Sequence, residues 1–307
     1  MKFKVNSYHF KLLRDYDRLS VFKEAIEDYA KSRKCINKDL SDEVAFDLGC
    51  GSGVLSYFAQ PYMDTIIAIE LNHSSYQLAK ENLKEFDKIQ VFNDDILSFD
   101  FSKLNVKADL IICEMLDTAL IDEEEVPVLN IAKNYLKDDG LIIPQAIINS
   151  AEPIFMNNHF IQYEDDEYNP IYIGLGKSVV YNELDFLDDM DCNFGKEIEL
   201  RIYNKDDLEE TDFEEKIFSE DFKKFNIGDN FNIEENKLKI NGIKITTFTK
   251  LNENIICGPT PMLNPSMLIP IEETEVCFGD IIRINLEYIM GAGVETIKTE
   301  VLDVVHN

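Results

Sequence analysis

Residues 44–53 read Val44-Ala-Phe-Asp-Leu-Gly-Cys-Gly-Ser-Gly53, a short apolar run that leads into a turn with three glycines. The β-forming residues of the run predict a buried strand, and the glycines permit positive φ angles and a close approach of the backbone to a ligand. Residues 54–60 predict the start of a helix. In an open parallel sheet such a junction lies at the carboxyl ends of the strands, where ligands bind. The stretch therefore predicts a nucleotide-type loop, with an ordinary tight turn as the alternative.

Two further strand patterns end in acidic residues. Thr65-Ile-Ile-Ala-Ile-Glu70 places Glu70 close to the spacing at which an acid binds the hydroxyl pair of a ribose. Ile89-Gln-Val-Phe-Asn-Asp-Asp-Ile96 places Asp95 where it can accept a hydrogen bond from an adenine amino group, beside the apolar Ile96. We therefore expect the two acids to bracket an adenosine.

The glycine turn has the form G-x-G-x-G, with Asp47 two residues before Gly49, instead of the G-x-G-x-x-G that is usual for dinucleotides. This form resembles that of the class I S-adenosylmethionine-dependent methyltransferases, and the resemblance covers residues 42–144. It implies S-adenosylmethionine as the cofactor, with Asp47, Gly49, Gly51 and Gly53 at its binding loop. The cofactor carries an amino group and a sulfonium, which suit a nearby carboxylate.

Composition limits the class of protein. A chain of 307 residues with 45% hydrophobic residues is expected to be folded and globular. No apolar run approaches about 18 residues, and the first residues lack the apolar core of a signal peptide, so we expect a cytoplasmic protein without a membrane segment. The six cysteines form no C-x-x-C pair. This favours reduced thiols over a zinc site or a disulfide framework, and no metal is expected.

The net charge of −29 would repel a phosphate backbone. It disfavours direct binding of nucleic acid and favours a basic protein or peptide as the substrate. The alternative is that the acidic residues serve only solubility.

The chain divides into three parts. Residues 1–40 predict a helical segment, and residues 41–144 alternate between strands and helices, which is typical of a Rossmann-like domain with a parallel sheet. Residues 145–307 are rich in β-patterns and predict a C-terminal β-barrel or sandwich, so the fold class is α/β followed by β. Asn241-Gly242 predicts a turn between two strands. The acidic segments 164–191 and 206–215 predict an extension and a linker or short helix.

A fourth strand pattern, Ala108-Asp-Leu-Ile-Ile-Cys-Glu114, is followed by a loop that ends at Glu123. Two carboxylates at the ligand-binding edge of the sheet can hold a guanidinium, whose planar donors pair with carboxylates in bidentate fashion. The alternative is that residues 122–125 form only the acidic first turn of a helix.

Four motifs resemble those of protein arginine methyltransferases. Residues 113–123 keep the spacing of S-E-W-M-G-Y-x-L-x-x-E, residues 9–18 are similar to H-x-x-M-L-x-D-x-x-R, residues 139–144 to D-G-L-I-F-P, and residues 276–282 to V-x-x-G-D-x-I. The resemblance implies a methyltransferase whose second domain contacts the substrate, and it allows a homodimer. The roles it implies are the cofactor carboxylate for Arg18, the acceptor guanidinium for Glu114 and Glu123, contact with the cofactor for Glu114, and contact with the acceptor for His9 and Met115.

The chain departs from this family in one important loop. The family's T-H-W sequence falls at Pro261-Met262-Leu263, and the chain contains no tryptophan. We expect residues 260–266 to border the acceptor pocket, with Met262 and Leu263 as an apolar wall; the alternative is that both pack in the core. The departure leaves open another acceptor (a different side chain, an RNA or a metabolite), or a cofactor-binding assembly or regulatory protein without activity.

Overall fold

A computed structural model describes residues 3–35, 42–164, 170–210, 230–232 and 235–306. Residues 36–40 of the predicted helical segment, 165–169 of the predicted extension and 211–215 of the predicted linker lie outside this part of the chain. The rest of the segment 164–191 was wrongly predicted as an extension, because it contains strands at Tyr172–Gly174 and Val179–Asp185. The described α-helices are α1 (Ser7–Arg14), α2 (Tyr16–Cys35), α3 (Val54–Ala59), α4 (His73–Leu83) and α5 (Glu125–Ala132). The described strands are β1 (Val44–Leu48), β2 (Thr65–Glu70), β3 (Ile89–Asn93), β4 (Ala108–Cys113), β5 (Leu136–Ile143), β6 (Ala146–Met156), β7 (Gln162–Tyr163), β8 (Tyr172–Gly174), β9 (Val179–Asp185), β10 (Asn193–Arg201), β11 (Leu238–Asn252), β12 (Ile255–Cys257), β13 (Met267–Val276), β14 (Ile281–Ile289) and β15 (Lys298–Val305).

The first five strands form a parallel sheet in the order β3-β2-β1-β4-β5. Every residue of β1 and β4 is buried, as expected for strands covered on both faces. The strand order reverses between β1 and β4, and the carboxyl ends of the strands on either side of that point form a ligand crevice. The Rossmann-like prediction is therefore confirmed.

The N-terminal segment forms two helices where the sequence pattern suggested one helical run. The break is at Asp15, whose Oδ1 accepts a hydrogen bond from Arg18 N at 3.0 Å. A side-chain oxygen that bonds the N–H three residues on is an N-cap, so Asp15 ends α1 and starts α2. This break fixes the position of Arg18 in the first turn of α2.

The last strand of the parallel sheet is longer than predicted. The stretch Asp138-Asp-Gly140 predicts a turn before a strand at residues 140–143, whereas β5 runs from Leu136 to Ile143 with a shift in register against β4. The irregularity accommodates Gly140, where a Cβ atom would lie 2.6 Å from a methyl group of Leu136. The turn prediction was therefore wrong.

The chain beyond Ile143 is mainly antiparallel, as predicted. One sheet has the order β7-β13-β11-β6-β8 with β9 and β12 at its margins, and another has the order β10-β14-β15. Among the described strands neither sheet closes on itself, so the described strand pairings do not form a closed barrel. The acidic segment that precedes residue 211 begins with a 3₁₀ helix, Lys205–Glu210.

The predicted turn at Asn241-Gly242 lies inside β11, as a break in the register with β13. The Asn241 side chain bonds the neighbouring strand: Oδ1 accepts from Met156 N at 2.8 Å, and Nδ2 donates to Met156 O at 2.9 Å. These bonds replace ladder bonds at a β-bulge, so the chain continues in one direction.

One contiguous cluster of buried apolar residues extends from Phe22 in α2 to Met290 after β14, and it joins the two sheet systems. This shared core packs the parallel sheet against the antiparallel sheets of the second half of the chain. Within the described residues, no helix combines the length and the apolar character that a membrane span requires.

Candidate active site

A cavity of about 480 Å³ lies at the carboxyl ends of β1, β2 and β4. It brings together most of the residues selected from the sequence: His9, Arg18, Asp47, Gly49, Gly51, Glu70, Asp95, Ile96, Glu114, Met115, Glu123 and Met262. Gly53 and Leu263 do not line it. Gly53 instead packs close to Leu83 of α4, where a Cβ atom would lie 2.5 Å from a leucine methyl group.

The glycine turn after β1 is covered by two side chains. Gly49 and Gly51 have φ angles of 70° and 54°, which residues other than glycine rarely adopt. A Cβ atom at Gly51 would lie 2.6 Å from His9 Nε2, and a Cβ atom at Gly49 would lie 2.8 Å from Met115 Sδ. Glycine is therefore required at both positions.

His9 is fixed over this turn by Asn6, the N-cap of α1. Asn6 Oδ1 accepts from His9 N at 2.8 Å and lies 2.9 Å from His9 Nδ1. Burial lowers the pKa of His9 despite the nearby Glu70 charge, and the Arg18 charge adds to the fall. A neutral imidazole therefore lies at the cavity.

Asp47 connects β1 to the first turn of α3. Its buried carboxylate accepts hydrogen bonds from Ser56 N at 2.9 Å and Ser56 Oγ at 2.5 Å. Burial raises the pKa of Asp47 to about 6 in spite of these bonds, and the Glu70 charge adds to the rise. Asp47 thus holds the shape of the glycine turn as well as lining the cavity.

Glu70 ends β2 with both carboxylate oxygens directed at backbone donors. Oε2 accepts from Gly51 N at 2.8 Å, and Oε1 accepts from Asn72 N at 2.7 Å. Because a carboxylate offers about four acceptor positions, each oxygen keeps capacity for a hydroxyl donor. In the loop that follows β3, Asp95 Oδ1 accepts a hydrogen bond from Leu97 N at 2.9 Å.

Arg18 and Glu114 form a buried ion pair. Arg18 Nε donates to Glu114 Oε1 at 3.1 Å, and Nη2 donates to Oε2. Burial lowers the pKa of Arg18 to about 10, with Asp15 opposing the fall, so the guanidinium is charged at neutral pH. Nη1 is buried and has no hydrogen-bond partner among the described residues. An unpaired buried donor of this kind suits an anionic ligand group.

Asp117 shapes the loop that carries Glu123. Its Oδ2 accepts from Ile121 N at 3.0 Å and Asp122 N at 2.8 Å, and its Oδ1 accepts from Glu123 N at 3.2 Å. Burial raises the pKa of Asp117 to about 7, although the backbone bonds oppose the rise. One carboxylate therefore orders the loop up to Glu123.

The same loop is fastened to the β-rich half of the chain. Ala119 and Leu120 have φ angles of 57° and 59°, a strained conformation that costs about 1–3 kcal/mol per residue. Ala119 N donates to Thr247 Oγ1 at 2.9 Å, and Thr118 Oγ1 donates to Pro265 O at 2.5 Å. Hydrogen bonds to β11 and to the residues before β13 therefore hold this strained loop in place.

Glu123 is solvent-exposed and also lines the cavity. Partial desolvation raises the pKa of its carboxyl group, and the charges of Asp122 and Glu124 add to the rise. Tyr8 lies nearby: desolvation and then the Glu123 charge raise the pKa of its phenol. In the described part of the chain, the Glu123 side chain has no hydrogen bond or ion pair.

The loop at Thr260 meets the cavity through Asp15. Asp15 Oδ2 accepts hydrogen bonds from Thr260 Oγ1 and, at 3.2 Å, from Met262 N. Met262 lines the cavity, whereas Leu263 is fully buried in the core. Of the two residues expected to form an apolar wall, only Met262 is at the cavity.

Sequence reasoning missed four residues at or beside this site. Asp15 lies within residues 9–18, whose motif implies roles for His9 and Arg18 but none for Asp15, and no sequence pattern singles out Asp117 or Tyr8. Glu125 is fully buried behind the loop, where it accepts from Met115 N at 3.0 Å, and burial raises its pKa to about 8. The position of Glu125 in an acidic run gave no signal that it would be buried.

Two comparisons with known proteins cover most of the chain. The model of a family described as a methyltransferase domain matches residues 39–205, more than half of the chain. A protein of Methanothermobacter thermautotrophicus, described as uncharacterized, is 38% identical over 304 residues, which cover 98% of this chain and 100% of that protein.

Similarity to proteins with named activities is more local. The ribosomal protein L11 methyltransferase of Thermosipho africanus is 29% identical over 131 residues, which cover 41% of this chain and 46% of that protein. Protein arginine N-methyltransferase 1 of Saccharomyces cerevisiae is 30% identical over 154 residues, which cover 47% of this chain and 43% of that protein.

The structure is similar over nearly its whole length to a chain of the Trypanosoma brucei PRMT1 enzyme–prozyme heterotetrameric complex with AdoHcy. The TM-score is 0.66 at 14% sequence identity, and the match covers 98% of this chain and 100% of that chain. At this identity the likeness shows a shared fold. The predicted resemblance to protein arginine methyltransferases is therefore confirmed at the level of architecture.

Proposed function

This chain belongs to the methyltransferase domain family, and we propose that it transfers a methyl group from its cofactor, S-adenosylmethionine, to a guanidinium nitrogen of arginine in a basic protein. The observation that carries the proposal is that Glu114 and Glu123 line one cavity together with the glycine turn and Arg18. Two carboxylates at that position can hold a planar cation beside the cofactor.

The residues of the cavity fit the cofactor. Arg18 Nη1 is a buried donor without a partner and would bind the cofactor's carboxylate. Gly51 has no Cβ atom, which would lie 2.6 Å from His9 Nε2, so the imidazole can cover the glycine turn at the edge of the cavity. Glu70 would accept from the ribose hydroxyls, and Asp95 from the adenine amino group beside Ile96.

The charge of the cavity also suits a cationic ligand. Among the described residues, six acidic side chains line it against one arginine: Asp47, Glu70, Asp95, Glu114, Glu123 and Glu124. When bound, S-adenosylmethionine supplies an electrophilic methyl group on a positively charged sulfur. Carboxylates in a partly dry cavity attract both this charge and that of an acceptor guanidinium.

We assign different tasks to the two glutamates. Glu114 is held by Arg18, so its remaining acceptor capacity orients the acceptor without moving. The Glu123 carboxylate has no hydrogen bond or ion pair among the described residues, and its raised pKa makes it a stronger base than an ordinary exposed glutamate. We therefore propose that Glu123 binds the guanidinium and accepts its proton, because the thioether of Met262 cannot serve as a base.

A second candidate is transfer to another acceptor at the same site, such as a different side chain of a protein. Met262 stands at the position of the histidine in the T-H-W sequence of the arginine methyltransferases, and the local similarity to a ribosomal protein L11 methyltransferase favours this candidate. The homodimer suggested by the family resemblance stays a prediction, which sedimentation velocity can test.

The experiment is methyl transfer from labelled S-adenosylmethionine into an extract of the source cells, followed by hydrolysis. Label in methylarginine supports the first proposal, and label in another amino acid, in RNA or in a metabolite supports the second. Glu123→Gln should remove the label, while Glu197→Gln, an exposed charge on β10, should not. If the protein binds S-adenosylhomocysteine in calorimetry but no fraction is labelled, it is a binding protein and both proposals are wrong.

A further inference from the structure

Three side chains with metal-binding atoms meet at the edge of the β10-β14-β15 sheet. Cys277 and Asp280 lie in the turn before β14, and His306 directly follows β15. Their ligand atoms all lie within 4.8 Å of one another. None of the three lines the cavity at the glycine turn, so the cluster is separate from the proposed active site.

Asp280 is the centre of this cluster. Its carboxylate is 1% exposed, and Oδ2 accepts from Cys277 N at 2.7 Å and lies 2.9 Å from His306 Nδ1. Oδ1 is buried and has no hydrogen-bond partner among the described residues. A buried carboxylate oxygen without a donor is costly unless a cation or another donor satisfies it.

We propose that Cys277, Asp280 and His306 bind a divalent transition-metal ion, and that zinc is the best match. Thiolate, imidazole and carboxylate are all established zinc ligands, and three protein ligands with a water in the fourth position are a common set. The sulfur and nitrogen ligands disfavour magnesium and calcium, which prefer oxygen. Bond lengths of about 2.0–2.3 Å place tetrahedral ligands about 3.3–3.8 Å apart, which is compatible with ligand atoms that all lie within 4.8 Å of one another.

The proposed metal would link β14 and β15 at the point where their ladder of backbone hydrogen bonds ends. Ile281 pairs with Val305 at the end of the β14-β15 ladder, next to the proposed ligands. A metal at this point would link the turn before β14 to the residue after β15. Because the three ligands are brought together only by folding, binding of the metal would stabilise the folded sheet. We infer a structural role, since His306 is largely exposed and none of the three residues lines the cavity at the glycine turn.

Cobalt provides the test, because the acid-rich surface will bind divalent ions weakly at many carboxylates. The full chain is freed of metal with a chelator and titrated with Co²⁺, which gives a sulfur-to-cobalt absorption band only when a thiolate is bound. We expect a band that saturates at one equivalent and disappears when Zn²⁺ is added. Cys277→Ser should abolish it, and Cys192→Ser, at another half-buried cysteine, should leave it unchanged. His306→Ala should weaken Co²⁺ binding by about tenfold or more.

Thermal unfolding separates a lost ligand from a lost fold. In chelator, Cys277→Ser and the unchanged protein should melt at similar temperatures. With added Zn²⁺, the melting temperature should rise with concentration in the unchanged protein and stay constant in Cys277→Ser. The proposal is overturned if no cobalt–thiolate band forms, if the band survives Cys277→Ser, or if Cys192→Ser removes it.

Discussion

Arg18 donates a hydrogen bond from Nε to Glu114 Oε1 across 3.1 Å, and so links the first turn of α2 to the end of β4. The pair is buried, and Arg18 Nη1 remains unpaired within it. One guanidinium can therefore hold a glutamate for the acceptor and still offer a donor to the cofactor. The binding of cofactor and acceptor should be coupled through this pair.

Glu114→Gln should destabilise the protein by about 3 kcal/mol, because removal of one partner leaves the buried charge of Arg18 uncompensated. S-adenosylhomocysteine carries a carboxylate and should restore part of this loss. Urea unfolding with and without the ligand measures both effects. As a control, Glu273→Gln removes an exposed ion pair with Lys239 and should cost less than about 1 kcal/mol. Equal losses in the two variants would contradict the buried-pair interpretation.

Glu70→Gln should weaken the binding of S-adenosylhomocysteine by about tenfold to a hundredfold, because a charge-assisted bond contributes about 1.5–3 kcal/mol. The amide would also direct N–H groups at Gly51 N or Asn72 N, which now donate to the carboxylate. Calorimetry measures the dissociation constant, and Glu81→Gln on the exposed face of α4 is the matched control. An unchanged constant would remove Glu70 from the cofactor site.

Asp15→Asn should impair the use of the acceptor without weakening the binding of the cofactor. Asparagine caps a helix as well as aspartate does, so the bond to Arg18 N is kept. The charge that anchors Thr260 and Met262 is lost. We expect kcat/KM for the acceptor to fall about tenfold at a nearly constant dissociation constant for S-adenosylhomocysteine. The exposed Asp17→Asn serves as the control, and a parallel loss of cofactor affinity would show that Asp15 acts through Arg18 instead.

The rate of methyl transfer should fall as the pH decreases, because the Glu123 carboxylate becomes protonated. Its pKa is raised above the ordinary value by desolvation and then by Asp122 and Glu124, so the carboxylate is protonated at a higher pH than an exposed glutamate. Activity that requires the ionised form is then present above that pKa and lost as pH falls through it. The pH profile of kcat/KM measures this limb. Glu123→Gln should lower the rate about tenfold to a hundredfold and remove the limb, and a limb that persists belongs to another group.

The stability of the protein should fall as pH rises from about 5 to about 8. Burial raises the pKa of Asp117 to about 7 and that of Glu125 to about 8, so the folded state binds protons more tightly than the unfolded state. The stabilisation is complete below the unfolded pKa values and is lost as pH rises through the folded ones. Glu125→Gln keeps an acceptor for Met115 N without the charge.

At pH 8, Glu125→Gln should therefore stabilise the protein by on the order of 1 kcal/mol or more, and at pH 5 by little. Urea unfolding at the two pH values measures this difference. Glu197→Gln, on an exposed face of β10, should show no such dependence. Stabilisation that is equal at both pH values would mean that the carboxyl of Glu125 does not change its charge in this range.

The sequence by itself determined the parallel sheet, the glycine turn and the order of the acids at its edge. These features depend on local rules: apolar runs make buried strands, parallel strands place their carboxyl ends together, and glycine permits the φ angles of Gly49 and Gly51. The two glutamates that line the cavity could be found because their spacing in the chain is short. The break at Asp15 and the bulge at Gly242 could not, since each depends on a side-chain bond or a close contact made on folding.

Only the tertiary structure decided which of two neighbouring residues faces the cavity. Met262 and Leu263 are both apolar, but Met262 lies in the tight turn that the backbone hydrogen bonds between Thr260 and Leu263 close, and it lines the cavity, whereas Leu263 is buried in the core. The cluster of Cys277, Asp280 and His306 was likewise invisible in the sequence, because β15 must pair with β14 before the histidine reaches the turn. Contacts between residues distant in the chain are set by how the sheets pack, and no local pattern specifies that packing.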